Sequence, residues 1–408
     1  MNPGDIAWVG AATALVMIMT PALGFFYAGL VRKKNLIATL IQCLTIFAVV
    51  SLVWALWGYS IAFGTSVNGW FGDLSLFALN GVGLLPDLRY TDAIPALLFF
   101  AFQLKFAAIT PALIIGAFAE RIKFKSLLIF IVLWATLIYS PVAHWIWNPD
   151  GWLRQIGAID FAGGTVVHIT AGLSALAAAI VLGRRKDADN KVAMHPSSIP
   201  YVILGAALLW FGWFGFNAGS SLRADGVAVM AMVVTNLAAS AAAVSWMAVD
   251  WVRNGKPSAV GIAVGAVCGL VAITPASGYV TVPSAIVIGL VVGILSNLVA
   301  NWRATRTRID DSLDVFACHG MGGIWGALAT GIFATLSVNS AGADGLLFGN
   351  PGQLVSQAIA VVAVGVYSFV GSWILLKAID KFSPLRVTAE EEEIGLDESQ
   401  FGEHAFED

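Results

Sequence analysis

Two histidines, His168 and His319, each stand inside a long apolar stretch of the chain. An ionisable side chain at membrane depth is costly and rare, so each marks a candidate functional site by default. His168 closes the run Asp160-Phe161-Ala162-Gly163-Gly164-Thr165-Val166-Val167-His168, and His319 sits in Asp314-Val315-Phe316-Ala317-Cys318-His319-Gly320. Two buried imidazoles at related places in a chain suit a proton relay, a polar lining for a small neutral substrate, or bis-histidine haem ligation. The plain alternative is two unrelated histidines, each bonded to a backbone carbonyl. Haem is the weakest of these readings, because neither a CxxCH motif nor a second histidine pair accompanies them. His195 falls in a loop and His144 near the end of an apolar run, so neither competes as a midplane group.

Asp160 has two readings. As a helix cap its carboxylate accepts backbone N–H bonds from Ala162 or Gly163. As a cation ligand it faces the entrance directly. The cap is preferred, with its charge still shaping the local field. Several aromatic residues also fall near one set of helix ends: Phe102 and Phe106, four apart on one face, then Trp147, then Phe216 with Ser220. In a chain with 15 tryptophans any single ring reads as interfacial belt or core. As a set they suit a monovalent cation, which ring faces attract by roughly 0.5–2 kcal/mol and a hydroxyl can accept from. No phosphate-binding glycine loop, Ser–His–Asp spacing, HExxH motif or metal-ligand spacing occurs. The sequence therefore implies neither an enzyme nor a cofactor or metal.

The elements that must position these residues are apolar helices. The 408 residues are 58% hydrophobic and only 12% charged, with mean hydropathy +0.82. That balance cannot cover a soluble surface and indicates an all-α polytopic membrane protein. A net charge of −3 argues against a nucleic-acid partner. Cys43, Cys268 and Cys318 lie in apolar runs and read as simply buried. The N-terminus lacks a basic start, and its apolar run is too long for a signal h-region, so it reads as a first transmembrane helix.

Eleven candidate spans lie near 6–30, 37–63, 94–118, 126–147, 161–183, 200–219, 227–251, 258–274, 281–301, 315–336 and 354–377. Alternate loops carry Arg32, Lys33, Lys34; Arg121, Lys123, Lys125; Arg184, Arg185, Lys186, Lys191; Arg253, Lys256; Arg303, Arg306, Arg308; and Lys377, Lys381, Arg386, which is 18 of the 22 basic residues. The opposite loops hold Arg89, Arg154 and Arg223, and Lys105 falls within a span. The positive-inside rule then puts the N-terminus outside and the C-terminus in the cytoplasm. An odd count suggests a 5+5 inverted pseudo-repeat plus one extra helix. In that scheme Phe26-Tyr27-Ala28-Gly29 echoes Phe216-Asn217-Ala218-Gly219, and Asp160 with His168 echoes Asp314 with His319. Gly261, Gly265, Gly269, Gly289 and Gly293 follow the small-xxx-small spacing of close helix packing. Residues 1–379 read as the membrane domain and 380–408 as a polar tail. The tail contains an acidic run at 390–393 and the less random Gly395-Leu396-Asp397 … Phe401-Gly402-Glu403-His404-Ala405-Phe406.

These residues resemble the ammonium transporter family (Amt/MEP/Rh) over essentially the whole chain. The motifs are Asp160-Phe-Ala-Gly-Gly-Thr-Val-Val-His168, Trp213-Phe-Gly-Phe-Asn-Ala-Gly-Ser220, Phe106-Ala-Ala-Ile-Thr-Pro-Ala-Leu … Ala-Glu-Arg121, and Asp310-Asp-Ser-Leu-Asp-Val-Phe-Ala-Cys-His319-Gly. The resemblance implies a homotrimer of eleven-helix protomers, each with its own hydrophobic pore for ammonium or its methylammonium analogue. It implies a recruitment site from Phe102, Trp147 and Ser220, a gate from Phe106 and Phe216, a pore lined by His168 and His319, and a structural carboxylate at Asp160. Trp145 is the alternative to Trp147, because Trp147 is followed by Asn148-Pro149-Asp150-Gly151-Trp152 where the family commonly has a glycine-rich turn. The tail, with Gly395, Asp397, Gly402 and Glu403, resembles the family's regulatory segment, which in many members meets a PII-type signal protein. Phe401 and Phe406 stand where His and Tyr are often found.

Overall fold

The computed structural model describes residues 1–189 and 195–406, so Lys191, counted above among the loop cations, lies outside the described residues. The chain is a bundle of helices with, among the described residues, one small hairpin, Ser66–Val67 against Phe71–Gly72. Nine helices among the described residues are long and apolar enough to cross a membrane. They are α1 (Pro3–Leu30), α2 (Lys33–Phe63), α3 (Ala96–Ala117), α4 (Phe124–Gln155), α5 (Gly164–Leu182), α6 (Ile199–Ser221), α7 (Gly226–Asn254), α9 (Val282–Arg306) and α11 (Pro351–Asp380). Two shorter helices occupy the remaining expected positions: α8 (Ala259–Ile273) and α10, in which Phe316–Gly320 continues as Met321–Phe333. At 1.5 Å per residue α8 reaches only about 22 Å, short of a ~30 Å hydrocarbon core.

Local chemistry starts and stops the helices. The side chains of Asn2, Ser198, Asp225 and Ser258 each accept a backbone N–H in the first turn of α1, α6, α7 and α8. Beyond α7, Gly255 turns the chain at φ +74°, where a side chain would be strained. Helix packing is tightest at glycine. On α7 the backbone is met by Gly269, where a Cβ would stand 2.5 Å from the Ala238 carbonyl oxygen, and by Gly289, where it would stand 2.2 Å from the same atom. The small-residue stripe of α8 and α9 is thus the seam against α7. A second seam joins α1 to α6 head to tail. Gly29 at the end of α1 lies against Ser198 and Val202, and Gly219 at the end of α6 lies against Ala12.

One end of the bundle is closed by a buried ion network. Glu120 holds Arg32 at 2.7 Å and Arg185 at 3.1 Å, and Asp310 holds Arg185 at 2.9 Å and Arg121 at 2.7 Å. Four separate loops are tied in this way. The tail folds onto the same end. Thr388 and Glu391 form a capping box, Arg386 bonds Glu392 at 2.7 Å, and Phe401 packs edge-on to Phe124 at 5.0 Å. The Asp397 carboxylate accepts from the backbone N–H groups of Ile37 (3.0 Å) and Ala38 (2.7 Å), which caps α2. Gly395, at φ +109°, passes so close to Lys34 that a Cβ would meet its carbonyl oxygen at 2.4 Å. Gly402 turns the chain at φ +66°, and Glu403 is exposed.

Candidate functional site

His168 and His319 lie on helices that cross at closest backbone approach. A Cβ on Gly172 would stand 2.2 Å from the Gly320 nitrogen, and one on Gly323 would stand 2.9 Å from the Gly164 carbonyl oxygen. This crossing brings the two imidazoles together, Nδ1 to Nδ1 at 3.3 Å, with ring centroids 5.3 Å apart. Each histidine sits in a π-helical turn, 164–169 and 316–320 respectively. Such turns widen the helix locally and rotate a side chain inward.

The two helix starts are built alike, 151 residues apart. Asp160 accepts four backbone N–H bonds: Gly163 and Gly164 on Oδ1, both 2.8 Å, with Thr165 (2.7 Å) and Val166 (3.1 Å) on Oδ2. It is therefore a cap, reaching one turn further than Ala162. Its counterpart is Asp311, which accepts from Val315 (3.1 Å) and Phe316 (2.7 Å). That corrects the pairing of Asp160 with Asp314. Asp314 lies at φ +56°, matching the left-handed Gly163, and its carboxylate bonds Arg303 at 2.7 Å. The repeat also carries a further motif, Ile-Thr-Pro-Ala at 109–112 and again at 273–276. Both threonine hydroxyls bond the carbonyl four residues back, Thr110 to Phe106 at 2.6 Å and Thr274 to Leu270 at 2.7 Å.

A cavity of about 350 Å³ opens at the end of the bundle opposite the tail. Phe102, Phe106, Trp147, Asp160 and Ser220 all line it. Trp147 donates its indole N–H to the Asp160 carbonyl at 3.0 Å, and the Ser220 hydroxyl donates to the Phe216 carbonyl at 2.8 Å. Trp145 is turned away; it bonds the Trp70 carbonyl at 2.7 Å and packs on Tyr367. Gln103, Arg154, Arg223, Asp225 and Tyr279 also line the cavity, and their spacing in the sequence does not single them out as site residues. They come from loops and helix faces whose convergence has no local signal. The buried Gln103 Oε1 has no hydrogen-bond partner among the described residues.

At the floor, Phe106 meets Phe216 with centroids 4.3 Å apart, while Phe102 and Trp147 stand edge-on to Phe106 at 4.9 and 5.9 Å. Both floor rings are 1% exposed, so they seal the cavity from what lies beneath. Under them is a cavity of only about 10 Å³, lined by His168, His319, Trp213, Phe216, Phe26 and aliphatic side chains. It has room for the centre of one water-sized molecule. His168 stacks beside Trp213 and Phe216, at 5.5 and 6.0 Å, and its Nε2 has no partner among the described residues. The arrangement offers an open aromatic vestibule, a double-ring seal, and below it one polar pair in a small, mostly apolar cavity.

The Ammonium Transporter Family model matches residues 7–406. The chain is 47% identical over 408 residues to an ammonium transporter of Bacillus subtilis, covering all of both chains. Among solved structures it is similar to Candida albicans Mep2, with 37% identity and a TM-score of 0.90 over 96% of this chain and 88% of that one. It is also similar to a structure described as a sensor Amt protein, with 33% identity and a TM-score of 0.89 over 98% of each chain. With a family model spanning nearly its whole length, this multi-pass membrane protein belongs to the ammonium transporter family, a family of transporters rather than enzymes.

Proposed function

We propose that the protein takes up ammonium, or methylammonium, across the cytoplasmic membrane as neutral ammonia through the path just described. Ammonium is recruited among Phe102, Trp147 and Ser220, gives up its proton near the Phe106–Phe216 seal, and crosses as ammonia along His168 and His319. The observation that carries this reading is the paired imidazoles, 3.3 Å apart, directly beneath the aromatic seal. Carrying a bare cation through a dry apolar tube costs many kcal/mol of desolvation, whereas a neutral molecule of water size crosses cheaply. The histidines give ammonia hydrogen-bond partners without fixed charge. They also offer the released proton a route of its own, which makes transport electrogenic.

The same proposal includes eleven spans in a 5+5 inverted repeat plus one helix, with the N-terminus outside and the tail in the cytoplasm. It includes a homotrimer and a tail that answers to a PII-type signal protein. The matched offsets of Asp160/Asp311, Gly163/Asp314 and His168/His319 support the inverted repeat. Uptake of labelled methylammonium by cells lacking their own transporters tests transport, and absence of uptake by well-expressed protein overturns it. A current on an ammonium pulse into proteoliposomes tests proton transfer; uptake without current leaves net ammonia movement. The similarity to a sensor Amt protein favours one second reading, binding of ammonium with signalling through the tail. Vigorous flux by the isolated chain counts against it.

A further inference from the structure

The chain reaches Asp160 through an irregular segment, residues 156–161, whose backbone groups have no helix or sheet to satisfy them. Buried backbone N–H and C=O groups need partners, and here distant side chains supply most of them. The Ile156 carbonyl accepts from the Ser356 hydroxyl at 2.7 Å, and the Gly157 carbonyl accepts from the Gln353 amide at 2.9 Å. Ile159 is held at both of its groups by Gln357: its N–H donates to Oε1 at 2.8 Å, and its carbonyl accepts from Nε2 at 2.9 Å. The Asp160 carbonyl takes the Trp147 indole, and the Phe161 N–H donates to the Pro275 carbonyl at 3.1 Å. Gln353, Ser356 and Gln357 share one face of α11 at helical spacing. Among the described residues, none on α11 lines either cavity.

Gln357 is 1% exposed and lies 198 residues from Ile159 in the chain. It treats Ile159 as the peptide group of a neighbouring strand would. Its Nε2 also donates to the Ala327 carbonyl at 3.1 Å, on the helix that carries His319. A glutamine side chain has two N–H donors and one carbonyl acceptor, so all three kinds of contact are made at once. The packing leaves it little freedom, since a Cβ on Gly331 of α10 would stand 3.1 Å from the Gln357 Cγ. One amide thus joins the residue before Asp160 to α10. Asp160 itself does two things: its carbonyl holds Trp147, and its carboxylate caps the turn that carries His168. Where the Ile159–Asp160 peptide sits therefore bears on both.

We propose that Gln357 is a positioning residue for the ammonium site: from α11 it fixes the peptide that orients Trp147 and seats the Asp160 cap. The proposal rests on the recruitment reading given above and adds a residue outside the site on which the site's affinity depends. Gln357→Leu keeps the bulk and removes all three hydrogen bonds. In proteoliposomes it should raise the half-saturation concentration for labelled methylammonium about two- to fivefold, the attraction of one ring for an accessible cation. Amide hydrogen exchange, followed by mass spectrometry on the purified protein, should quicken over 159–166. Gln357→Asn, whose amide is one carbon short of Ile159, should move both readouts in the same direction and serves if the leucine variant does not assemble.

Ser372→Ala is the control. Ser372 lies further along α11, accepts from the Trp134 indole at 3.0 Å and donates to Ser174 at 2.7 Å, all buried and away from Asp160. It should lower the unfolding temperature while leaving half-saturation and exchange over 159–166 at wild-type values. Wild-type half-saturation and exchange in both Gln357 variants overturn the proposal. So does an equal shift in Ser372→Ala, which would make the effect a general loosening of the bundle. A wild-type protein that takes up no methylammonium overturns the transport reading instead, and the exchange comparison still decides whether Gln357 seats Asp160.

Discussion

Replacing Asp160 separates a structural carboxylate from a cation ligand. Its two oxygens accept four N–H bonds, all buried, from residues 163–166. Each donor stranded without a partner costs about 1–3 kcal/mol, so Asp160→Ala should cost roughly 4–12 kcal/mol, against a total stability of about 5–15 kcal/mol. Asp160→Asn keeps one oxygen for Gly163 and Gly164 but turns an amide NH₂ towards Thr165 and Val166, so about half the loss is expected. Asp160→Glu keeps the carboxylate on a longer arm and should lose least. Thermal unfolding of the purified protein, followed by tryptophan fluorescence alongside methylammonium uptake, should rank wild type, Glu, Asn and Ala in that order on both readouts. The cap also sets the π turn that aims His168, so flux should fall with stability. An Asp160→Ala protein that unfolds at the wild-type temperature yet carries nothing would refute this reasoning and make the carboxylate a cation ligand.

The crossing of α5 and α10 has no room for a methyl group, so Gly172→Ala, whose Cβ would meet the Gly320 nitrogen at 2.2 Å, should force the histidines apart. A loss of about 1–3 kcal/mol in unfolding, with reduced flux, is expected. Arg185→Met takes one of two arginine partners from each of the buried Glu120 and Asp310 carboxylates and should cost about 3–5 kcal/mol by thermal unfolding; a smaller loss from deleting Arg89, whose partner Asp87 is near the surface, is the control. Asp311 supplies a pH dependence. Burial first, and then the Asp314 charge, push its carboxyl up to about 6. The folded state therefore holds its proton more tightly than the unfolded state, so this group's contribution to stability rises as pH falls through 6 and levels off below about 4. The melting temperature of wild type minus that of Asp311→Asn should increase between pH 7 and pH 5, and a flat difference contradicts the assignment. Asp310 adds nothing in that window. Burial raises its pKa, but the Arg185 hydrogen bonds and the Arg121 charge outweigh burial and leave it below the ordinary carboxylate range.

Much of this was legible in the sequence because membranes impose simple rules. Long apolar runs, alternating loop charge and paired intramembrane histidines are each local or periodic signals. The mispairing of Asp314 has a specific cause. Which of Asp310, Asp311 and Asp314 caps α10 depends on a left-handed residue at the start of the turn. Glycine announces that conformation at 163, but an aspartate adopts it at 314. The loop cations serve as topology signals, yet Arg121 and Arg185 are buried in an ion network whose partners lie up to 189 residues away. The vestibule is likewise assembled from distant segments, so spacing alone could not single out Gln103 and Tyr279. The repeated Ile-Thr-Pro-Ala is a different case, a local signal of internal symmetry written plainly in the chain. Lys105 stands out as a basic residue within a span, but that its ammonium lies over the Phe47 ring is visible only in the fold.

The central claim is that nitrogen passes the paired imidazoles as ammonia. Uptake into proteoliposomes by His168→Ala and His319→Ala, each checked for assembly, tests it most directly. Removing one hydrogen-bond partner from a crossing molecule forfeits about 1–1.5 kcal/mol, so each variant should slow flux by about five- to thirteenfold while folding and assembling normally. Undiminished flux in both variants would remove the histidines from the path and contradict the account.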